Sequence, residues 1–161
     1  MRPRSLDEFL GRVRIPYTTF QHPPAFTAMH GAQVSHIPGR CWAKTVACIA
    51  DGEPILAVVP AHFTIDLDRL RALAAVETLR LALPQEMMAL YPDCEEGAMP
   101  PFGELYSHRV FADESLVGEP EMVFNAGTHT DCIRMHYGDF AVVAHPVVGK
   151  FGRPRHDRGE S

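Results

Sequence analysis

The segment Glu96-Gly97-Ala98-Met99-Pro100-Pro101-Phe102-Gly103 places the tightest local constraint on this chain. Two glycines bracket two adjacent prolines. Glycine admits backbone angles closed to other residues, whereas proline fixes φ and has no N–H to donate. The residue before each proline is held extended. Such a segment can neither continue a helix nor sit inside a sheet ladder, so it is a shaped loop. The N–H groups of Ala98, Met99, Phe102 and Gly103 then have no regular ladder to join. Turned into a cavity, they would clamp a carbonyl or an oxyanion. Turned outward, the same segment is a tight surface turn. The apolar side chains of Ala98, Met99 and Phe102 argue against the surface.

Around this loop the chain alternates short helical and extended segments. Ser5-Leu6-Asp7-Glu8 has the form of a capping box, and Leu6, Phe9, Leu10 and Val13 follow at helical spacing, with Pro16 as a stop. Residues 17–20 predict a short strand, and Thr27 a cap for a second helix with small residues Ala28, Ala32 and Ser35 on one face. Residues 44–50 and 55–59 predict a hairpin through Asp51-Gly52, apolar enough to be buried on both faces. Lys44 sits at the mouth of that hairpin, and its head must reach solvent or a polar cavity. Asp66 predicts a helix cap, residues 78–83 a strand, and Pro84 the first residue of a helix to about Leu90. Residues 106–111, 122–124 and 132–136 read as strands, and Asp139 as the cap of a last helix that Pro146 ends. Together these predict an α/β (mixed α+β) single domain with a curved mixed sheet flanked by helices. The domain is expected over residues 1–151, with 152–161 as a basic, disordered tail.

The 161 residues suit one domain with a sizeable core. No apolar run approaches the roughly 18 residues of a membrane span. Cys41, Cys48, Cys94 and Cys132 form no CxxC pair and read as reduced thiols of a cytoplasmic protein. The net charge of −5 is unevenly spread: residues 1–14 and 150–161 each carry +2, which leaves −9 between them. An acidic middle argues against wrapping long nucleic acid, though not against holding a single-stranded tip.

Familiar catalytic patterns are absent. There is no GxSxG, HExxH, GxGxxG or GxxxxGK[ST], and neither His30/His36 nor His129/His136 is spaced for two ligands on one helix face. Cys94, beside Asp93, Glu95 and Glu96, is expected to have a raised pKa. What remains is Lys44 at a strand start and two glycine-bearing loops. A positioned cation with backbone donors suits an already activated acyl group such as an ester, where orienting water and holding an oxyanion suffices.

Lys44-Thr45-Val46, the loop of residues 97–103, and Phe124-Asn125-Ala126-Gly127-Thr128-His129 occur in the order and spacing of the YbaK-type aminoacyl-tRNA deacylases. The segments Phe26-Thr27-Ala28 and Asp51-Gly52 also resemble that family, which is related to the editing domain of bacterial prolyl-tRNA synthetases. The resemblance covers about residues 15–148. It implies hydrolysis of the ester joining a wrong amino acid to tRNA, with no metal or organic cofactor. It implies Lys44 and the G-x-x-x-P loop from Gly97 to Pro101 as the catalytic centre. Ala98, Met99, Pro101, Phe102 and Gly103 would cradle the aminoacyl group and terminal ribose, and Asn125, Gly127, Thr128 and His129 would shape the amino-acid pocket. The implied partners are the 3′ acceptor end of aminoacyl-tRNA and a synthetase or elongation factor that delivers it, with no role for DNA or membrane. The residues alone leave two other functions open: hydrolysis of a different small acyl ester, and a non-catalytic module that binds an aminoacyl or nucleotide end.

Overall fold

The turn at Asp51-Gly52 sets the centre of the molecule. Both residues have positive φ, +49° and +81°, as a two-residue hairpin turn of the primed type requires. It joins β2 (Ala43–Ala50) to β3 (Glu53–Pro60), whose antiparallel register runs from Ala43 opposite Pro60 to Ala50 opposite Glu53 without a skipped residue. The Asp51 carboxylate also accepts from the N–H groups of Glu77 and Thr78, at 3.0 and 2.8 Å. That anchors the approach to β5 (Leu79–Leu81), which pairs with β2. A computed structural model describes residues 4–21 and 39–155. The expected second helix with its Thr27 cap, and residues 156–161, lie outside the described residues, as does the Ser5 side chain.

The main sheet has five strands in the order β5-β2-β3-β6-β9, with β6 (Arg109–Asp113) and β9 (Val147–Gly149) added in parallel. A second, antiparallel sheet places β8 (Asp131–His136) between β1 (Thr18–Gln21) and β7 (Glu121–Asn125). A bridge from Trp42 to Val123 links the two. A two-stranded ribbon pairs β4 (Phe63–Ile65) with β10 (Gly152–Pro154). Among the described residues there are four α-helices: α1 (Arg4–Val13), α2 (Leu67–Ala74), α3 (Pro84–Leu90) and α4 (Tyr137–Ala144). The mixed α+β domain expected from sequence is what forms, and the hairpin is buried as expected: every residue of β3 from Ile55 to Pro60 is inaccessible.

The period of two in β2 and β3 divides the core. Ala43, Ala47, Leu56 and Val58 face a cluster with Leu6, Phe9 and Leu10 of α1, Met99, Phe102, Phe124 and Phe140. Cys48, Ile55, Ala57 and Val59 face the other way, onto Leu70 and Ala74 of α2, Phe111 and Phe151. Fully buried side chains of the size of Leu70 or Phe102 each contribute roughly 1.5–3 kcal/mol. Two helix signals hold: Asp66 caps α2 by accepting from the Arg69 N–H at 3.1 Å, and Pro84 opens α3; α1 already begins at Arg4, so Ser5 lies inside it and is not its N-cap. α1 ends before Pro16, with Arg14 at φ +57°.

Three further expectations are corrected. The strand expected from residue 106 begins at Arg109, because residues 103–105 make a 3-10 turn whose Gly103 carbonyl accepts from Tyr106 and His108, both at 2.9 Å. Asp139 is not the cap of α4, which starts at Tyr137 after His136, although Pro146 does follow its end. The chain does not leave the fold at Gly152. Residues 152–154 form β10 because the buried Asp113 carboxylate accepts from the N–H groups of Phe151 and Gly152, at 3.0 and 2.6 Å.

Candidate active site

The glycine-proline loop is buried. Ala98, Met99, Pro100, Pro101, Phe102 and Gly103 are all inaccessible, whereas Glu95, Glu96 and Gly97 are exposed. Phe102 anchors it, with ring centroids 5.6 Å from Phe9, 5.5 Å from Phe124 and 5.8 Å from Phe140. Gly103 is a packing glycine: a Cβ there would overlap the His108 carbonyl oxygen and come within 2.7 Å of Val110. Gly97 plays a different part. Its φ of +82° and the Ala98 N–H to Glu95 carbonyl bond of 3.0 Å make residues 95–98 a turn of the kind that calls for glycine at its third position.

This bond corrects one expectation, since the Ala98 N–H is used inside the turn. Among the described residues no acceptor takes the N–H groups of Met99, Phe102 or Gly103. Met99 turns its side chain into the main core with Ala43 and Phe124.

The second glycine loop, residues 125–131, is laced to the first. The Glu95 N–H donates to the Gly127 carbonyl and the Gly127 N–H to the Ala98 carbonyl, both at 2.8 Å. The His129 N–H donates to the Glu95 carboxylate at 2.7 Å, and its Nε2 lies 2.7 Å from the Glu96 carbonyl oxygen. A carbonyl only accepts, so Nε2 carries the proton. Thr128 donates its hydroxyl to Asp131 at 2.7 Å and accepts from the Asp131 N–H at 2.9 Å. Gln21 of β1 holds the other carboxylate oxygen of Asp131 at 2.7 Å. Burial opposes ionisation of Asp131, but the hydrogen bonds from Gln21 and Thr128 keep its pKa below the usual carboxylate range. Asn125 closes β7, opposite Cys132. Asn125, Gly127, Thr128 and His129 are thus built into one unit with Gly97.

Lys44 stands apart from that unit. Its place in β2 puts it on the face of Val46 and Cys48, across the sheet from Met99 and Phe102. Among the described residues it makes no ion pair. Its charged neighbours are Arg155 and His62: burial and then Arg155 lower the Lys44 pKa, and burial and then Lys44 lower that of His62.

Beside the first loop lies a polar aromatic cluster. The Tyr91 hydroxyl is 3.0 Å from His108 Nδ1, and Cys94 Sγ is 3.3 Å from the Tyr106 hydroxyl. Burial is the main reason that the Cys94 pKa is raised, with Asp93 adding to it. The expected direction holds, and its chief cause is desolvation. Cys132 is pushed to about 12 by burial. Neither is a thiolate nucleophile. Among the described residues no group of His, Cys, Asp and Glu could hold a metal ion, and no helix is long and apolar enough to cross a membrane.

Sequence reasoning missed Glu95, Asp131, His62 and Arg155. Glu95 and Glu96 stand beside a glycine, which is a local hint of a turn. Nothing local links Arg155 to Lys44.

Comparison with known proteins bears on this geometry. The family model for the aminoacyl-tRNA editing domain matches residues 22–142. The proline–tRNA ligase of Nitratidesulfovibrio vulgaris strain Hildenborough is 30% identical over 104 residues, which are 65% of this chain and 18% of the ligase. That of strain DP4 is 32% identical over 83 residues, 52% of this chain and 14% of the ligase. The match therefore spans under a fifth of either enzyme. Among solved structures, a candidate trans-editing enzyme for prolyl tRNA synthetase superposes with a TM-score of 0.79 at 22% identity, over 93% of this chain and 96% of that one. A hypothetical protein, APE2540, superposes with a TM-score of 0.84 at 15% identity, over 93% and 100%. At these identities the superpositions establish the fold.

Proposed function

The chain belongs to the aminoacyl-tRNA editing domain family, and from that premise we propose that it hydrolyses the ester of mischarged aminoacyl-tRNA, acting in trans. The observation that carries this reading is the lacing of residues 95–98 to residues 127–129 by four hydrogen bonds. It makes a backbone-lined rim out of the two segments that the family resemblance implies as substrate-binding.

In the reaction, water adds to the ester carbonyl carbon, and the carbonyl oxygen becomes an oxyanion. The carbon–oxygen bond to the ribose then breaks, the ribose oxygen takes up one of the water's two protons, the other passes to solvent, and the amino acid leaves as its carboxylate. The N–H groups of Met99, Phe102 and Gly103 are the donors for that oxyanion, since no protein acceptor among the described residues uses them. Gly97 lets the backbone approach the ester closely. Asn125, Thr128 and His129 bound the amino-acid side chain. His129 holds its Nε2 proton on Glu96, so it is a wall and a brace. A substrate hydroxyl on the ribose is the group that assists the water. Lys44, on the far face of β2, contributes charge toward the RNA.

The likeness to prolyl-tRNA ligases makes proline tRNA the first substrate to test. That substrate places the reaction in the cytoplasm, with delivery by a synthetase or elongation factor. The experiment is a deacylation panel of Ala, Ser, Cys and Thr on proline tRNA, with correctly charged controls, for the wild type and Lys44→Ala. Release from one mischarged member, slowed in the variant, supports the proposal and names the substrate. Hydrolysis of small aminoacyl esters without RNA dependence would favour the general esterase. Binding without release would favour the non-catalytic module.

A further inference from the structure

We propose that Lys44, His62 and Arg155 form one phosphate-binding site, completed by the C-terminal strand, which grips a backbone phosphate of the RNA away from the ester. The proposal rests on the reading of the chain as an RNA-directed editing domain and adds to it two residues outside both loops.

The backbone brings the three together. The β2/β3 register places Lys44 opposite Val59. Two residues past β3, His62 lies in the tight turn to β4, held by the Ala61 N–H on the Trp42 carbonyl at 2.7 Å. β10 pairs with β4, and the Arg155 N–H, just beyond β10, donates to the His62 carbonyl at 2.9 Å. The strand is fixed upstream by Asp113 on Phe151 and Gly152. Arg155 is therefore delivered to the mouth of the hairpin by a built element.

The charges are unbalanced there. Asp66, the carboxylate of the neighbouring cap, is taken by Arg153 at 2.6 Å and by Arg69 at 3.5 Å. Asp113 is spent on backbone N–H groups and Ser115. Among the described residues no carboxylate pairs with Lys44, His62 or Arg155. Among the described residues the charged neighbour acting on Lys44 is Arg155 and the one acting on His62 is Lys44, and like charges so placed repel each other. A phosphate oxygen relieves that repulsion, and an arginine and a lysine together suit it by geometry and by charge. The site lies across β2 from the loops, so it takes a phosphate of the strand and leaves the reacting carbonyl to the loops.

The test uses a deacylated RNA hairpin ending in CCA and needs no turnover. Binding is measured against salt concentration for wild type, Arg155→Ala, Arg155→Lys and His62→Gln, with thermal melting as a check on folding. Arg155→Ala should weaken binding several-fold and reduce the slope of log affinity against log salt by about 1. Arg155→Lys should keep the slope, and inorganic phosphate should compete with the hairpin for wild type more than for Arg155→Ala. An unchanged slope in Arg155→Ala, or an equal loss in Arg155→Lys, overturns the phosphate site and leaves the editing function standing. A wild type that binds no RNA overturns both.

Discussion

His129 donates its Nε2–H to the carbonyl oxygen of Glu96 at 2.7 Å, across 33 residues of sequence. The carbonyl belongs to the residue just before Gly97, so an imidazole in one loop sets the peptide plane at the turn of the other. His129→Ala removes that bond and leaves its backbone bond to Glu95. The expected loss is about 1 kcal/mol of stability, and on the proposed function a larger fall in deacylation, because the rim loosens at the proposed ester site. His129→Gln, which can still donate, should recover part of both in paired melting and activity measurements.

Gly97→Ala isolates backbone strain. A Cβ at Gly97 would meet only His129 Cε1, at 3.9 Å, an ordinary contact. The cost then comes from φ of +82°, about 1–2 kcal/mol for a residue with a Cβ. Chemical denaturation should show a lower midpoint with an unchanged slope, and turnover should fall further than stability does. Turnover equal to wild type would move the reacting centre away from this turn.

Thr45→Val should stabilise the protein. Among the described residues the buried Thr45 hydroxyl has no hydrogen-bond partner, on the face of β2 that also carries Ala43 and Ala47. Replacing it with a methyl group of the same shape removes an unmet polar group, for a gain of about 1 kcal/mol. Denaturant melts decide the sign, and a loss would mean that the hydroxyl is bonded in solution.

Asp113 gives the fold an acid-sensitive joint. Burial works against its charge, but hydrogen bonds from Ser115, Gly152 and Phe151 lower its pKa in the folded chain. Its stabilisation is therefore complete above the unfolded value of about 3.9. It is lost as pH falls from there through the lower folded value. Asp113→Asn should cost about 2 kcal/mol at neutral pH and show a shallower loss of stability in that acid window. Melts of both proteins across that range check it.

The parts of the fold legible in sequence were those fixed by neighbouring residues. Asp51-Gly52 announces a hairpin, Asp66 a cap, Pro84 a helix start and residues 97–101 a loop, because each carries its own backbone chemistry. β4, β9 and β10, each three residues long, did not show. β10 exists because Asp113 accepts from residues 38 and 39 positions downstream. In the site, Gly97, Gly127 and His129 were legible as loop residues, and their union was not. It depends on Glu95, whose carboxylate reaches a backbone N–H 34 positions away. Lys44 was legible as a cation at a strand start, but its side of the sheet depends on pairing register, and its neighbours arrive from the turn between β3 and β4 (His62) and from just past β10 (Arg155).

β10 also shields something. β4 is three residues long, and its pairing partner is Gly152, Arg153 and Pro154. Cutting the chain after Phe151 would uncover that strand's row of N–H and C=O groups next to Phe63. An exposed row of this kind is a template for any other extended chain. A shortened protein is therefore expected to lose its solution behaviour, through self-association at β4, before it loses its helices.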